Sequence, residues 1–242
     1  MKILITGASS GIGFLTGIVL GERGHEVYMT TKTLEEEKNL KEKIKKLDLN
    51  IKVFKLDITG DQDKINSLDL DVLFLHAGVG YTGLLENIDL NLVRDNFEIN
   101  VFANLSMIQT FLKSNNKPKK VIMTSSLIAK HSYPFFGSYI MTKSCIELMM
   151  KILRVENSFN NNKFIVIKPG AYHTGFNQFM ILSGEKSNLN LKIRNVLNRL
   201  FLFIEEKDIR SIVYKIILAI EKSDHNTYSA PFIQTLLSKL TF

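Results

Sequence analysis

Short apolar runs alternate along the chain with longer stretches whose apolar residues recur every three or four positions. The runs lie at residues 2–6, 26–30, 51–56, 71–75, 120–124 and 164–168. Each is apolar on consecutive positions, as expected of strands covered on both faces. Helical periodicity fills the intervals, at about 11–23, 34–47, 61–68, 90–113 and 137–159. This alternation predicts an α/β fold: a Rossmann-like, doubly wound parallel sheet between two helical layers. After Pro169-Gly170 the pattern changes. Residues 175–204 are rich in Phe, Leu and Asn without strand-like runs, which predicts one or two helices outside the sheet, forming a lid. A helix at about 206–221 and a short strand near 227–230 complete the pattern. The 242 residues suit one sizeable domain or two small ones, and no linker or repeat divides them, so a single domain over 1–242 is expected.

Composition narrows the classes. A hydrophobic share of 45% and a charged share of 23% are ordinary for a water-soluble globular chain. A single cysteine, Cys145, excludes an internal disulfide and a multi-cysteine metal site. No apolar run approaches the roughly 18 residues of a membrane span, and the first strand is too short for a signal-peptide core. A cytoplasmic protein without a membrane partner is the expectation. Residues Leu191–Ile204, with Lys192, Arg194 and Arg199 among Leu and Phe, also read as an amphipathic helix able to touch a membrane or a partner. The net charge is +7, with lysine clusters at 41–46 and 117–120. Neither interleaves aromatics, so a nucleic-acid partner is not expected, whereas a pull on phosphorylated ligands is.

The first strand runs straight into Thr6-Gly7-Ala8-Ser9-Ser10-Gly11-Ile12-Gly13 and then a helix. Glycines there let the backbone turn tightly, approach a diphosphate and pack helix on strand, while helix N-terminal amides hold the phosphates. The second strand ends Thr30-Thr31-Lys32, without the carboxylate that would bind the 2′-hydroxyl of NAD and repel a 2′-phosphate. Lys32, helped by Ser10, favours NADP(H) over NAD(H), although a plain surface lysine reads the same way.

Two Tyr-x-x-x-Lys pairs occur, Tyr28/Lys32 and Tyr139/Lys143. On a strand, four residues span roughly 13 Å. On a helix, residues i and i+4 are neighbours at about 6 Å. Only Tyr139 and Lys143, at the start of a predicted helix, can couple electrically. A tyrosine titrates near about 10, and an adjacent ammonium would bring that value toward neutrality.

The glycine turn at 6–13, with Asn100, Ser126, Tyr139, Lys143, Pro169-Gly170 and Thr174, resembles the short-chain dehydrogenase/reductase family, in its single-domain members of about 250 residues. The resemblance runs from residue 1 to about 176. It implies an oxidoreductase that interconverts a carbonyl and an alcohol on a small molecule. Tyr139 would be the acid/base, Lys143 would also bind the nicotinamide ribose, Ser126 would orient the substrate oxygen, and Asn100 would position a relay water. It further implies that Asp57 and Ile58 meet the adenine, and that Ala77 and Gly78 let the backbone approach the cofactor. Pro169, Gly170, Tyr172 and Thr174 would form the carboxamide loop. Asp57 as a simple helix cap is the competing reading. A homodimer or homotetramer through the helices bearing Asn100 and Tyr139 is implied too. The alternative function is a nucleotide-sensing, non-catalytic regulator on the same fold.

The chain departs from the family in places. Leu75-His76-Ala77-Gly78 stands where Asn-Asn-Ala-Gly is usual, and His76 is expected to be a satisfied structural histidine. Ala129-Lys130 replaces Ala-Gly, and an apolar tail follows Pro231 in place of a Gly-rich end. Ile128, His131, Tyr133, Phe135, Phe136, Phe176, Phe179, Met180 and Leu182 would form an apolar substrate wall, or would instead pack as core or dimer surface.

Overall fold

In the computed structural model, residues 1–114, 119–223 and 225–230 are described. The basic stretch at 117–118 and the apolar tail beyond residue 230 lie outside them. Seven parallel strands form one sheet: β1 (Lys2–Ile5), β2 (Glu26–Thr31), β3 (Ile51–Lys55), β4 (Val72–Leu75), β5 (Lys120–Thr124), β6 (Lys163–Lys168) and β7 (Thr227–Ser229). Their order is β3-β2-β1-β4-β5-β6-β7. The direction of winding reverses between β1 and β4, and ligands of open α/β sheets bind at that point, beyond the carboxyl ends of the strands.

Consecutive apolar residues in each strand serve both faces. Ile3 and Ile5 of β1 join a core beneath α1 (Gly11–Glu22) and α8 (Arg210–Glu221), with Leu20, Ile216 and Ile220. Leu4 joins the opposite core with Met107, Phe111, Ile146 and Met150. Those come from α4 (Ala103–Lys113) and α5 (Gly137–Glu156). α2 (Leu34–Ile44) is started by a capping box, in which the Thr33 hydroxyl accepts from the Glu36 N–H and the Glu36 carboxylate accepts from the Thr33 N–H.

Three expectations need correction. The helix expected at 61–68 is only a short 3₁₀ turn, Gln62–Ile65. Asp61 does not cap it; its carboxylate accepts from Lys55 Nζ at 2.6 Å and from the Asp57 N–H at 2.8 Å. The Asp, Asn and Ser residues around the turn compete with helical hydrogen bonds. The helix expected from 206 begins at Arg210, because Glu206 bridges to Tyr172 and the Asp208 carboxylate accepts from the Arg210 N–H at 2.9 Å. The helix expected over 90–113 is α3 (Leu90–Phe97), a π-turn at Glu98–Phe102, and α4. The segment 175–204 forms two helices, α6 (Phe176–Leu182) and α7 (Leu191–Ile204), outside the sheet. No described helix is long and apolar enough to cross a membrane.

Candidate active site

The nucleotide end follows from the turn after β1. Gly7 has φ +68°, and a Cβ there would lie 2.8 Å from Ala77 Cα, so only glycine allows the two backbones to approach. A Cβ on Gly13 would fall 2.6 Å from the Gly7 carbonyl oxygen. Thr6 ties the turn to the end of β4, its hydroxyl accepting from the N–H groups of His76 at 3.0 Å and Ala77 at 3.1 Å. Ser10 precedes α1 in an extended conformation without capping it, and the first turn carries no acid. The α1 N-terminal amides and the helix dipole are therefore open to an anion. These features fit a dinucleotide diphosphate.

A cavity of about 990 Å³ runs from this turn in both directions. At one end Lys32, Glu36, Asp57 and Ile58 line it. Burial alone would raise the Asp57 pKa. The N–H and hydroxyl of Thr59, donating to Oδ1 at 3.0 and 2.8 Å, and the nearby Lys32 cation outweigh this and hold it low. Next come Gly7, Ser9, Ser10, Gly11, Ile12, Ala77 and Gly78, and then Ser126, Tyr139 and Lys143. Pro169, Gly170, Tyr172 and Thr174 line the same wall. Thr174 faces the turn: a Cβ on Gly11 would sit 3.1 Å from its Cβ.

Gly13 and Asn100 do not line the cavity; both lie behind it. Asn100, fully buried in the π-turn, accepts from the Val79 N–H at 2.9 Å and donates to the Val79 carbonyl at 2.8 Å. It also donates to Thr142 Oγ1 at 3.0 Å, which joins the Gly78 loop to α5. The π-turn frees helical carbonyls, and Asn104 Nδ2 donates to two of them, Ile99 at 3.0 Å and Asn100 at 3.1 Å.

At the centre, α5 stacks Lys143 one turn after Tyr139, with Nζ 5.5 Å from the phenol ring centre. Nζ donates to the Thr124 carbonyl at 2.9 Å. Burial pulls the Lys143 pKa down to about 8. Burial likewise pushes Tyr139 up to about 12, partly opposed by a side-chain hydrogen bond with Ser126. The expected lowering of Tyr139 by Lys143 is therefore not found in the protein alone, where desolvation of the phenolate outweighs the hydrogen bond with Ser126. Tyr139 is held as a protonated phenol beside Ser126.

Sequence reasoning placed His76 as a structural histidine and missed Glu36 and Glu147. His76 pairs Nδ1 with Thr124 Oγ1 at 3.0 Å, as a structural histidine would, yet it also lines the cavity. Burial and the Lys143 charge bring its pKa down to about 4, so it is neutral. Glu36 lines the cavity beside Lys32, its carboxylate accepting from the N–H groups of Lys32 and Thr33 at 2.9 and 3.1 Å. Behind Ser126, buried Glu147 meets Lys168 Nζ at 2.7 Å and accepts from Ser125 Oγ at 3.2 Å, while Ser125 Oγ also donates to the Lys143 carbonyl at 3.1 Å. This cluster pins the ends of β5 and β6 to the Lys143 turn of α5.

Beyond Tyr139 the cavity becomes apolar. Ile128, Tyr133, Phe135, Phe136, Phe176, Phe179 and Met180 line it as expected, but His131 and Leu182 do not. Leu182 is turned to solvent. Val196, Leu197, Leu200, Phe201 and Ile204 of α7 complete the wall and were missed, because helical spacing does not say which face meets a cavity. Phe135 has φ +71°, a left-handed conformation unfavourable for an aromatic residue, with its carbonyl accepting from the Gly83 N–H at 2.8 Å.

A Rossmann-like sheet with this turn and this cavity defines a nucleotide-binding fold. A family model described as short chain dehydrogenase matches residues 1–181, and the chain belongs to that family, whose members bind NAD or NADP. It is 29% identical over 182 residues to an uncharacterised oxidoreductase of Bacillus subtilis, a match covering 71% of this chain and 65% of that one. It is also 29% identical over 184 residues to a 3-ketodihydrosphingosine reductase of Bacteroides thetaiotaomicron, covering 72% and 65% respectively. The chain thus spans just under two thirds of the length of these relatives. An estradiol 17-beta-dehydrogenase 1 of Rattus norvegicus is 27% identical over 190 residues, covering 73% of this chain and 55% of that one. Among solved structures, a short chain dehydrogenase/reductase from Burkholderia phymatum in complex with NAD superposes with a TM-score of 0.84 at 16% identity, covering 99% of this chain and 92% of that one. One from Streptomyces avermitilis gives 0.81 at 22% identity, covering 98% and 91%.

Proposed function

We propose that the chain is an NADP(H)-dependent reductase or dehydrogenase that interconverts an apolar ketone or aldehyde and its alcohol, working as a single domain with residues 175–204 as a lid. The observation that carries this is the stacking of Tyr139, Lys143 and Ser126 at one point of the cavity, between the glycine turn and the apolar arm. The bound dinucleotide supplies or takes up the hydride. Ser126 orients the substrate oxygen. Tyr139, kept protonated by burial, donates its proton to that oxygen in reduction. Lys143 then faces the phenolate and stabilises it, with Nζ held by the Thr124 carbonyl. Asn100 keeps the Gly78 loop and α5 in register.

NADP(H) is favoured by Lys32 at the adenosine end and by the absence of an acid at Thr30 and Thr31. Glu36, the acid nearby, is engaged by two backbone amides. Lys32→Ala should weaken NADPH binding about tenfold or more and leave NADH binding nearly unchanged, as read by titration of each cofactor. An unchanged ratio refutes this cofactor preference.

The apolar arm supports a hydrophobic carbonyl substrate. The names of two relatives, a 3-ketodihydrosphingosine reductase and an estradiol 17-beta-dehydrogenase, point the same way. An exposed stripe on α5, Leu148, Ile152 and Val155, supports self-association through that helix. The reaction is tested with NADPH carrying deuterium at the transferable position and a panel of apolar ketones. Deuterium on the carbinol carbon of the product is the expected result. Cofactor binding without any label transfer would instead favour a non-catalytic nucleotide sensor.

A further inference from the structure

We infer that the outer face of α7 is a docking surface for an anionic lipid bilayer, and that the apolar arm of the cavity opens onto that surface. This rests on the apolar-substrate reading above, and it describes a peripheral contact, in line with the amphipathic reading of Leu191–Ile204 and against the general expectation of no membrane partner.

None of the 14 residues of α7 is buried. Its inner side, Leu197, Phe201 and Ile204, lines the arm, and the Phe201 ring packs 5.6 Å from that of Phe136. Its outer side presents Val196, Leu200 and Phe203, at positions i, i+4 and i+7, with Phe203 88% exposed. Phe179 and Leu182 of α6 are exposed as well, at 53% and 65%. Val196, Leu200 and Phe179 both line the arm and face solvent, so the mouth of the arm lies within this apolar patch.

Charge decides what covers it. Residues 176–204 hold four cations, Lys186, Lys192, Arg194 and Arg199, against one anion, Glu185, whose carboxylate lies 3.4 Å from Arg194. Lys192 and Arg199 are exposed and flank the stripe. An amphipathic helix of this kind lies in the plane of a bilayer, its apolar side among the acyl chains and its cations among anionic headgroups. A second copy fits less well. Like charges would meet across a two-fold axis on a chain already at +7. One helix about 21 Å long also presents much less than the roughly 800 Å² per partner of a stable interface. Lying at the bilayer, the mouth would admit a lipid-dissolved substrate without a passage through water.

The test is co-sedimentation of the whole chain with vesicles of phosphatidylcholine, with or without phosphatidylglycerol. Binding to the anionic vesicles, weakened by salt, is expected. Phe203→Ser should lower vesicle affinity severalfold through lost apolar burial, and separately Lys192→Gln with Arg199→Gln should lower it by about fivefold per lost charge at low ionic strength. None of these residues lines the cavity, so NADPH affinity should stay at the wild-type value. Absence of binding to anionic vesicles, or equal binding by wild type and variants, overturns the inference. So does a wild-type dimer that Phe203→Ser dissociates in sedimentation, since the face would then belong to a second copy. Vesicle binding is read without turnover. Docking without reduction of apolar ketones would therefore refute the substrate reading alone, and reduction without docking would refute this inference alone.

Discussion

Lys143 carries a positive charge into a buried site, with one hydrogen bond to a backbone carbonyl to compensate it. Its pKa falls to about 8 from an ordinary 10.5, so below about pH 8 the folded state bears the desolvation cost of the ammonium. Between about 8 and 10.5 the folded form loses its proton before the unfolded form does, and the cost fades. Lys143→Met should therefore raise the thermal midpoint by a few degrees near pH 7, with a smaller gain near pH 9.5. Thermal melts at the two pH values check this, and a gain that does not shrink contradicts it. Glu147 is the opposite case, a buried carboxylate that pairs with Lys168 and accepts from Ser125. Glu147→Gln leaves that lysine without its counter-charge and should cost about 1–3 kcal/mol in denaturant unfolding. An unchanged midpoint would show that the cluster does not hold these strand ends. Tyr139 was legible because helical spacing separates it from Tyr28, whose hydroxyl donates to Glu26 on β2 instead. Glu147 and Glu36 were not legible as site groups, since a lone residue has no spacing, whereas His76 was legible as a structural histidine because it stands within the Leu75–Gly78 motif.

The strands were legible as elements because fully covered parallel strands leave runs of apolar residues, and all six expected runs form strands. The π-turn was not, since its apolar residues continue the pattern of α3 and α4 with a shift of one position. It matters because it places Asn100 against Val79 and Thr142. Asn104 closes the freed carbonyls, so Asn104→Ala should destabilise the fold by about 1–3 kcal/mol. It should also lower kcat more than it raises KM for the cofactor, because Asn100 loses its support while the glycine turn keeps its own. Denaturant unfolding and steady-state kinetics together check this; a stability loss with unchanged kcat would make the turn purely structural. The failed helix at 61–68 shows the reverse error, where apolar periodicity was present but Asp61 found better partners in Lys55 and Asp57.

For the whole molecule, the order of elements in the sequence dictated a doubly wound sheet, and the sheet order brings the glycine turn, the Tyr139 helix and the helices of residues 175–204 together beyond the carboxyl ends of the strands. How far the cavity extends along α7 was hidden, because it depends on how a helix outside the sheet leans on the rest. The stripe on α5 belongs to this scale as well. Leu148→Glu with Val155→Glu should shift the sedimentation coefficient to that of a monomer, and a wild-type chain that already sediments as a monomer would contradict self-association through that face. The central claim is proton transfer by Tyr139, and the most direct measurement compares wild type with Tyr139→Phe in NADPH-dependent ketone reduction while NADPH affinity is measured in both. The account predicts a fall in kcat of about 10²–10⁴-fold with cofactor affinity nearly unchanged. Equal turnover by the two proteins would contradict it.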